Sequence, residues 1–231
     1  MNNKIRAVVI CGSQPRHMYF ANIISRYIRV EAIIVQPSTS LDFERERKYF
    51  FKNYKNSFAD ISICSYINDV NKSSIVEDLK PDVIFTFGCG ILKKDIFFDI
   101  PKLGIINLHS GVTPDYRGVD NVYWCMYNNE FNKIGFTIHY VERGIDTGNV
   151  ISQKYVEFDY CVDDEVSMFN KVIENGILEF KSLVKHIDRG NKIVSKPINN
   201  KGKLYQNKDR TLETDRVTKL NINRKRNEKC K

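Results

Sequence analysis

Residues Gly104–Gly118 read G-I-I-N-L-H-S-G-V-T-P-D-Y-R-G, an alternating apolar stretch that runs into a loop of Gly, Pro and Arg. The first half has the pattern of a buried strand, Ile105–His109, yet it carries Asn107 and His109. A period of two puts both side chains on one face at the C-terminal end of that strand. An amide and an imidazole directed at a loop suggest a site, because loops at strand ends are where chemistry tends to be housed.

The flanking sequence repeats this strand motif. Upstream, apolar runs at Arg6–Cys11, Glu31–Gln36, Ile61–Tyr66 and Asp82–Phe87 alternate with helical segments at Arg16–Arg29, Leu41–Tyr54 and Ser73–Leu79. Strands without polar alternation are those covered on both faces. Their regular alternation with helices predicts an α/β fold, a Rossmann-like doubly wound, mostly parallel sheet. Downstream, Val119–Asn128 reads as a helix, and strands at Lys133–Val141 and Asn149–Phe158 flank the turn E-R-G-I-D-T-G. A long amphipathic helix follows, with Asp163 as its expected cap and Val166, Phe169, Val172, Ile173, Ile177 and Phe180 on one stripe. The pattern weakens beyond Gly190, so residues 1–190 are expected to form the catalytic domain. Residues 191–231 would be a short C-terminal extension with a basic tail, holding a strand at Lys192–Ser195 and a short polar helix near Leu212–Leu220.

Composition narrows the class. The 42% hydrophobic content, with 14 Phe and 12 Tyr, argues against disorder. No apolar run is long enough for a membrane helix, and the start M-N-N-K-I-R lacks the apolar region of a signal peptide. The net charge of +8 is concentrated at the end: residues 201–231 hold 11 Lys/Arg against 4 Asp/Glu. A basic terminal run without interleaved aromatics reads as a solvated tail rather than a nucleic-acid grip. Six scattered Cys without C-x-x-C spacing read mostly as small buried hydrophobes in a reducing compartment, with no metal site. The expectation is a soluble cytoplasmic protein without a membrane or nucleic-acid partner; the oligomeric state stays open, a homodimer included.

Asn107, His109 and Asp146 are the candidate catalytic set. Asp146 lies in a Gly-flanked turn, Gly144–Gly148, where a carboxylate can orient an imidazole. An amide donor, an imidazole and a carboxylate suit acyl transfer, in which a negative oxygen is stabilised and a proton is moved. A second feature is Phe87-Gly88-Cys89-Gly90-Ile91-Leu92, a strand end with two glycines where a flat ring can lie against backbone. It lacks the third glycine of a dinucleotide fingerprint.

These residues carry a resemblance. N-L-H-S-G-V-T-P-D-Y-R-G (107–118), W-C-M-Y-N (124–128), G-F-T-I-H-Y-V (135–141) and G-I-D-T-G-N-V-I (144–151) are similar, in order and spacing, to the 10-formyltetrahydrofolate-dependent formyltransferases. The resemblance implies N10-formyltetrahydrofolate as co-substrate and no metal. By position, Asn107 would donate to the formyl oxygen, His109 would move the proton and Asp146 would hold the imidazole or a relaying water. Phe87, Gly88, Cys89, Gly90, Ile91 and Leu92 would line the folate pocket, with Tyr140, Val141, Gly144 and Ile145 closing its other side. His139, seven residues before Asp146, would support the site from behind. Arg16, His17, Ser110, Gly111, Tyr116 and Arg117 are candidates for binding the acceptor.

Departures from subfamily patterns bear on the acceptor. C-G-S-Q-P-R-H-M after the first strand fits a glycinamide ribonucleotide phosphate loop only in part. S-G-V-T-P replaces the loop of the initiator-tRNA enzymes, and the extension is too short for their C-terminal barrel. What remains resembles the short sugar N-formyltransferases, acting on a dTDP-, UDP- or GDP-linked amino sugar in polysaccharide biosynthesis. Phosphoribosylglycinamide formyltransferase is the alternative, and a catalytically silent folate- or partner-binding domain is a third reading.

Overall fold

A computed structural model describes residues 5–37, 43–51, 63–64, 70–199 and 201–230. The chain forms two compact units that interleave in sequence: Met1–Leu108 with Ile177–Val194, and His109–Gly176 with Ser195–Lys231. The expected α/β class with a mostly parallel sheet is what the chain adopts.

In the first unit, β1 (Arg6–Gly12), β2 (Arg29–Gln36), β3 (Ile63–Cys64), β4 (Val83–Phe87) and β5 (Ile105–His109) lie in the order β3-β2-β1-β4-β5. All of their pairings are parallel, with Val8 opposite both Ala32 and Ile84, and Phe85 opposite Ile106. Ala7 to Cys11 and Val83 to Phe85 are wholly buried, which explains their unbroken apolar sequence. The connecting helices are α1 (Pro15–Ser25), α2 (Phe43–Phe51), α3 (Val70–Leu79) and the single-turn α4 (Ile96–Asp99). The rest of the Leu41–Tyr54 and Ile61–Tyr66 segments lies outside the described residues. Phe180 of α6 (Glu165–Asp188) packs edge-on against Phe20 of α1 at 4.9 Å and Phe85 of β4 at 5.4 Å. Truncating so buried a ring to Ala costs about 3–5 kcal/mol.

In the second unit, β7 (Gly135–Tyr140) and β8 (Val150–Tyr155) pair antiparallel, with a register shift between Ile138 and His139. Two short strands, β6 (Tyr116–Gly118) and β9 (Lys203–Tyr205), pair parallel to each other. Next to β6 lies α5 (Asn121–Tyr127), against which α7 (Leu212–Lys229) packs. The Lys192–Ser195 segment forms no strand; the neighbouring Lys196 makes one isolated bridge with Val150.

Several local features differ from the sequence reading. Asp164 caps α6: Ser167 N donates to its Oδ1 and its own N donates to Ser167 Oγ, both at 2.8 Å. Asp163 instead turns inward and receives the Asp159 amide and the Lys171 ammonium. The basic end of the chain is helical, because Leu212–Lys229 contains neither Gly nor Pro and Thr211 caps it through the Thr214 amide. Cys11 and Cys125 are buried free thiols, as read from the sequence, but Cys161 is joined to Cys230 in a disulfide. Among the described residues no helix is long and apolar enough to cross a membrane.

Candidate active site

In the first unit the amide of Asn107 is oriented by its neighbour on β4. Thr86, paired with it in register, donates its hydroxyl to Asn107 Oδ1 at 2.8 Å. With the oxygen accepting, the nitrogen becomes the donor end of the side chain. Thr86 was missed in the sequence because a threonine inside an apolar strand carries no motif.

Phe87 is buried and begins a segment that turns outward: Gly88 and Gly90 are exposed, Cys89 is half-buried, Ile91 is 57% exposed and Leu92 is buried. Gly90 N donates to Gln36 Oε1 at 2.5 Å, fixing the loop to the end of β2. His17 is buried with its ring edge-on to Phe87 at 4.7 Å and in contact with the backbone of Gly12 and Gly88. Burial, with Arg16 beside it, holds the His17 pKa well below that of a free imidazole. Arg16 itself is ion-paired with Glu46 of α2.

The second unit gathers His109, His139 and Asp146. Asp146 lies in the loop between β7 and β8, with a left-handed φ of 50°. Its Oδ2 stands 3.5 Å from His109 Nδ1 and its Oδ1 3.5 Å from His139 Nε2. Gly118 N donates to Oδ2 at 2.7 Å. The irregularity in β7 falls at His139, and such bulges re-aim side chains beside sites. His139 Nδ1 lies 2.8 Å from the Tyr140 carbonyl, so it carries a proton. Burial alone would raise the Asp146 pKa. The two imidazoles and the Gly118 amide overcome it and hold the carboxyl far below the usual carboxylate range.

His109 is 6% exposed, and both of its ring nitrogens are engaged. Nε2 lies 3.0 Å from the Tyr116 carbonyl and 3.2 Å from Nδ2 of Asn121. The carbonyl accepts only from a protonated nitrogen, whereas the amide donates only to a bare one, so each protonation state of His109 finds a partner. Asn121 Nδ2 also donates to Gly118 O at 3.0 Å, which fixes the amide orientation. Burial lowers the His109 pKa; Asp146 opposes that shift and His139 adds to it. The imidazole is thus neutral near neutral pH and able to accept a proton. Asn121 was not singled out in the sequence, since one polar residue at the start of an apolar helix gives no signal.

The loop 110–118 wraps this cluster. Ser110 is half-buried, and a Cβ at Gly111 would lie 2.7 Å from His109 Nε2 and 2.8 Å from the Tyr116 carbonyl, so only glycine lets the loop close on the imidazole. Gly118 adopts φ +89°, where a side chain would strike the Tyr205 carbonyl. The Tyr116 ring faces away from His109: it stacks on Tyr205 at 5.7 Å and donates its hydroxyl to Glu130. Arg117 is buried. Tyr140, Val141 and Ile145 are half-buried beside Asp146, while Gly144 is exposed. Among the described residues, no group of three or more His, Cys, Asp and Glu is arranged to hold a metal ion.

The pairing of a buried imidazole with an ionised carboxylate is the core of many proton-transfer sites, and comparison with known proteins narrows the chemistry. A family model described as formyl transferase matches residues 31–184. The chain is similar to a methionyl-tRNA formyltransferase of Clostridioides difficile, 36% identical over 117 residues, which is 50% of this chain and 37% of that protein. It is similar to a GDP-perosamine N-formyltransferase of Brucella melitensis, 29% identical over 110 residues, 48% of this chain and 42% of that protein. The chain thus spans less than half the length of both relatives. Its fold is like that of the Helicobacter canadensis N-formyltransferase solved with folinic acid and dTDP-3-aminofucose. There the TM-score is 0.63 at 18% identity, covering 93% of this chain and 79% of that one.

Proposed function

Because this chain belongs to the formyl transferase family, we propose that it transfers a formyl group from N10-formyltetrahydrofolate to the primary amine of a nucleotide-linked amino sugar. The observation that carries the reading is the buried His109–Asp146 pair, with Nδ1 and Oδ2 3.5 Å apart. It stands two residues after an amide whose nitrogen is set as donor by Thr86.

In this reading the acceptor amine attacks the formyl carbon. Asn107 Nδ2 donates to the formyl oxygen as it gains negative charge, an interaction stronger in the transition state than in the ground state. The new C–N bond leaves a proton on the amine. Neutral His109 takes up that proton, Asp146 stabilises the imidazolium, and the proton passes to N10 of the departing tetrahydrofolate as the old C–N bond breaks. His139 balances the far oxygen of Asp146 and keeps the carboxylate fixed. The exposed Ile91 with Gly88 and Gly90 offers an apolar surface and close backbone for a flat pterin.

Support for a sugar acceptor comes from the similarity to the perosamine enzyme and from the likeness in fold to the aminofucose enzyme. The test is a panel of dTDP-, UDP- and GDP-linked amino sugars, with glycinamide ribonucleotide and methionyl-tRNA as further acceptors. Product formation with an amino sugar is the expected result. Turnover confined to the ribonucleotide or to tRNA would overturn the sugar reading, and folate binding without any product would overturn transfer itself.

A further inference from the structure

We propose that Arg117 binds an oxyanion of the acceptor, one phosphate of its nucleoside diphosphate, next to the His109–Asp146 pair; this deepens the sugar reading and rests on it. A guanidinium stays charged at every physiological pH, and removing it from water unpaired costs several kcal/mol. Arg117 is 8% exposed, and its Nε and Nη1 are buried without a hydrogen-bond partner.

The carboxylates closest to it in sequence are engaged elsewhere. Asp115 pairs with Lys133 at 3.3 Å, Asp120 with Arg210 at 3.5 Å, and Glu130 with Lys133 at 2.9 Å. Asp146 is held by two imidazoles. Among the described residues no carboxylate compensates this buried cation, which leaves it open to an anionic ligand.

The position is also informative. Residues on both sides of Arg117 touch the cluster through their backbones: the Tyr116 carbonyl at 3.0 Å from His109 Nε2, and the Gly118 amide at 2.7 Å from Asp146 Oδ2. On β6 the Tyr116 ring takes one face, where it stacks on Tyr205, and alternation puts Arg117 on the other. An amino sugar whose amine reaches His109 carries its diphosphate one sugar ring away, within the span of an arginine side chain. A guanidinium presents planar pairs of N–H donors that suit two oxygens of one phosphate or carboxylate. The same chemistry is offered by the glutamate carboxylates of the folate, so the two sources must be separated.

Calorimetry on wild type, Arg117→Gln and Arg117→Lys does so, with dTDP, UDP and GDP as one set of probes and folinic acid as the other. The expected result is a loss of about ten- to hundredfold in affinity for the best diphosphate in Arg117→Gln, a smaller loss in Arg117→Lys, and folinic acid binding unchanged. Retained folinic acid binding also shows that the variant is folded. Unchanged diphosphate affinity overturns the proposal, as does loss of folinic acid alone or equal loss of both ligands. Diphosphate binding that depends on Arg117, without turnover of any amino sugar, would leave the anion site standing and remove the sugar acceptor. Turnover by wild type with an unchanged KM in Arg117→Gln would do the reverse.

Discussion

Asp146 is shared between two imidazoles, so its charge is held by His109, His139 and the Gly118 amide together. The sequence pointed to all three side chains: the N-x-H alternation gave His109, the Gly-flanked turn gave Asp146, and the resemblance to the formyltransferases added His139. It did not point to Asn121 or Thr86, whose roles depend on contacts over 12 and 21 residues that no local motif encodes. Asn121 makes the sharper test. Asn121→Leu removes the donor that favours neutral His109 and leaves the Tyr116 carbonyl, which favours the imidazolium. The His109 titration, followed by NMR of nitrogen-labelled histidine, is therefore expected to move to higher pH. Asp146 and His139 are the charged and titratable groups facing that ring, and neither is altered. An unmoved titration would show that the amide contact does not act on the ring.

At the scale of elements, β5 was legible to the residue, because its alternation of apolar residues with Asn107 and His109 leaves its mark in local sequence. The β6–β9 pair was not: three-residue strands joined across some 87 positions have no period to detect. α7 was underestimated for a different reason. Only Thr218 and Ile222 are buried along it, so it shows almost no apolar stripe. Side-chain contacts hold it instead. Tyr123 donates to Thr214 at 2.8 Å, and Asn221 Nδ2 donates to the Met126 and Tyr127 carbonyls at 3.1 and 2.8 Å. Those carbonyls belong to the last turn of α5, where helices leave acceptors unsatisfied. Asn221→Leu takes the donor from the Tyr127 carbonyl, while the Met126 carbonyl keeps the Asn129 amide at 3.1 Å, and is expected to lower stability by about 1–3 kcal/mol in chemical denaturation; a change within a few tenths would mean that water replaces the amide. At the far end of α7, Arg226 donates to the Asp163 carbonyl at 2.9 Å and Lys225 lies over the Tyr160 ring at 5.4 Å. The charge read as a solvated tail is thus partly engaged by the protein's own groups.

At the scale of the molecule, buried titratable groups link stability to pH in two windows. His17 and His109 both have pKa values lowered by burial, so the folded state holds them neutral while the unfolded chain binds protons from about pH 6.5 downward. Stability is expected to fall as pH drops below that value, by up to about 1.4 kcal/mol per pH unit for each histidine. Asp146 is depressed, so its contribution is present above about pH 3.9 and is lost only as pH falls further. Thermal melts from pH 7.5 to 5 are expected to stay level down to about pH 6.5 and to decline below it; a flat profile over the whole range would contradict the neutral burial of the histidines.

In the proposed reaction the Asn107 amide and the His109–Asp146 pair carry formyl transfer. Its most direct test is kcat of Asn107→Ala on the amino sugar that the wild-type protein formylates, with folinic acid affinity measured in parallel. Loss of an oxyanion donor is expected to lower kcat by about a hundredfold or more while folate affinity is kept. Wild-type kcat in that variant would contradict the claim.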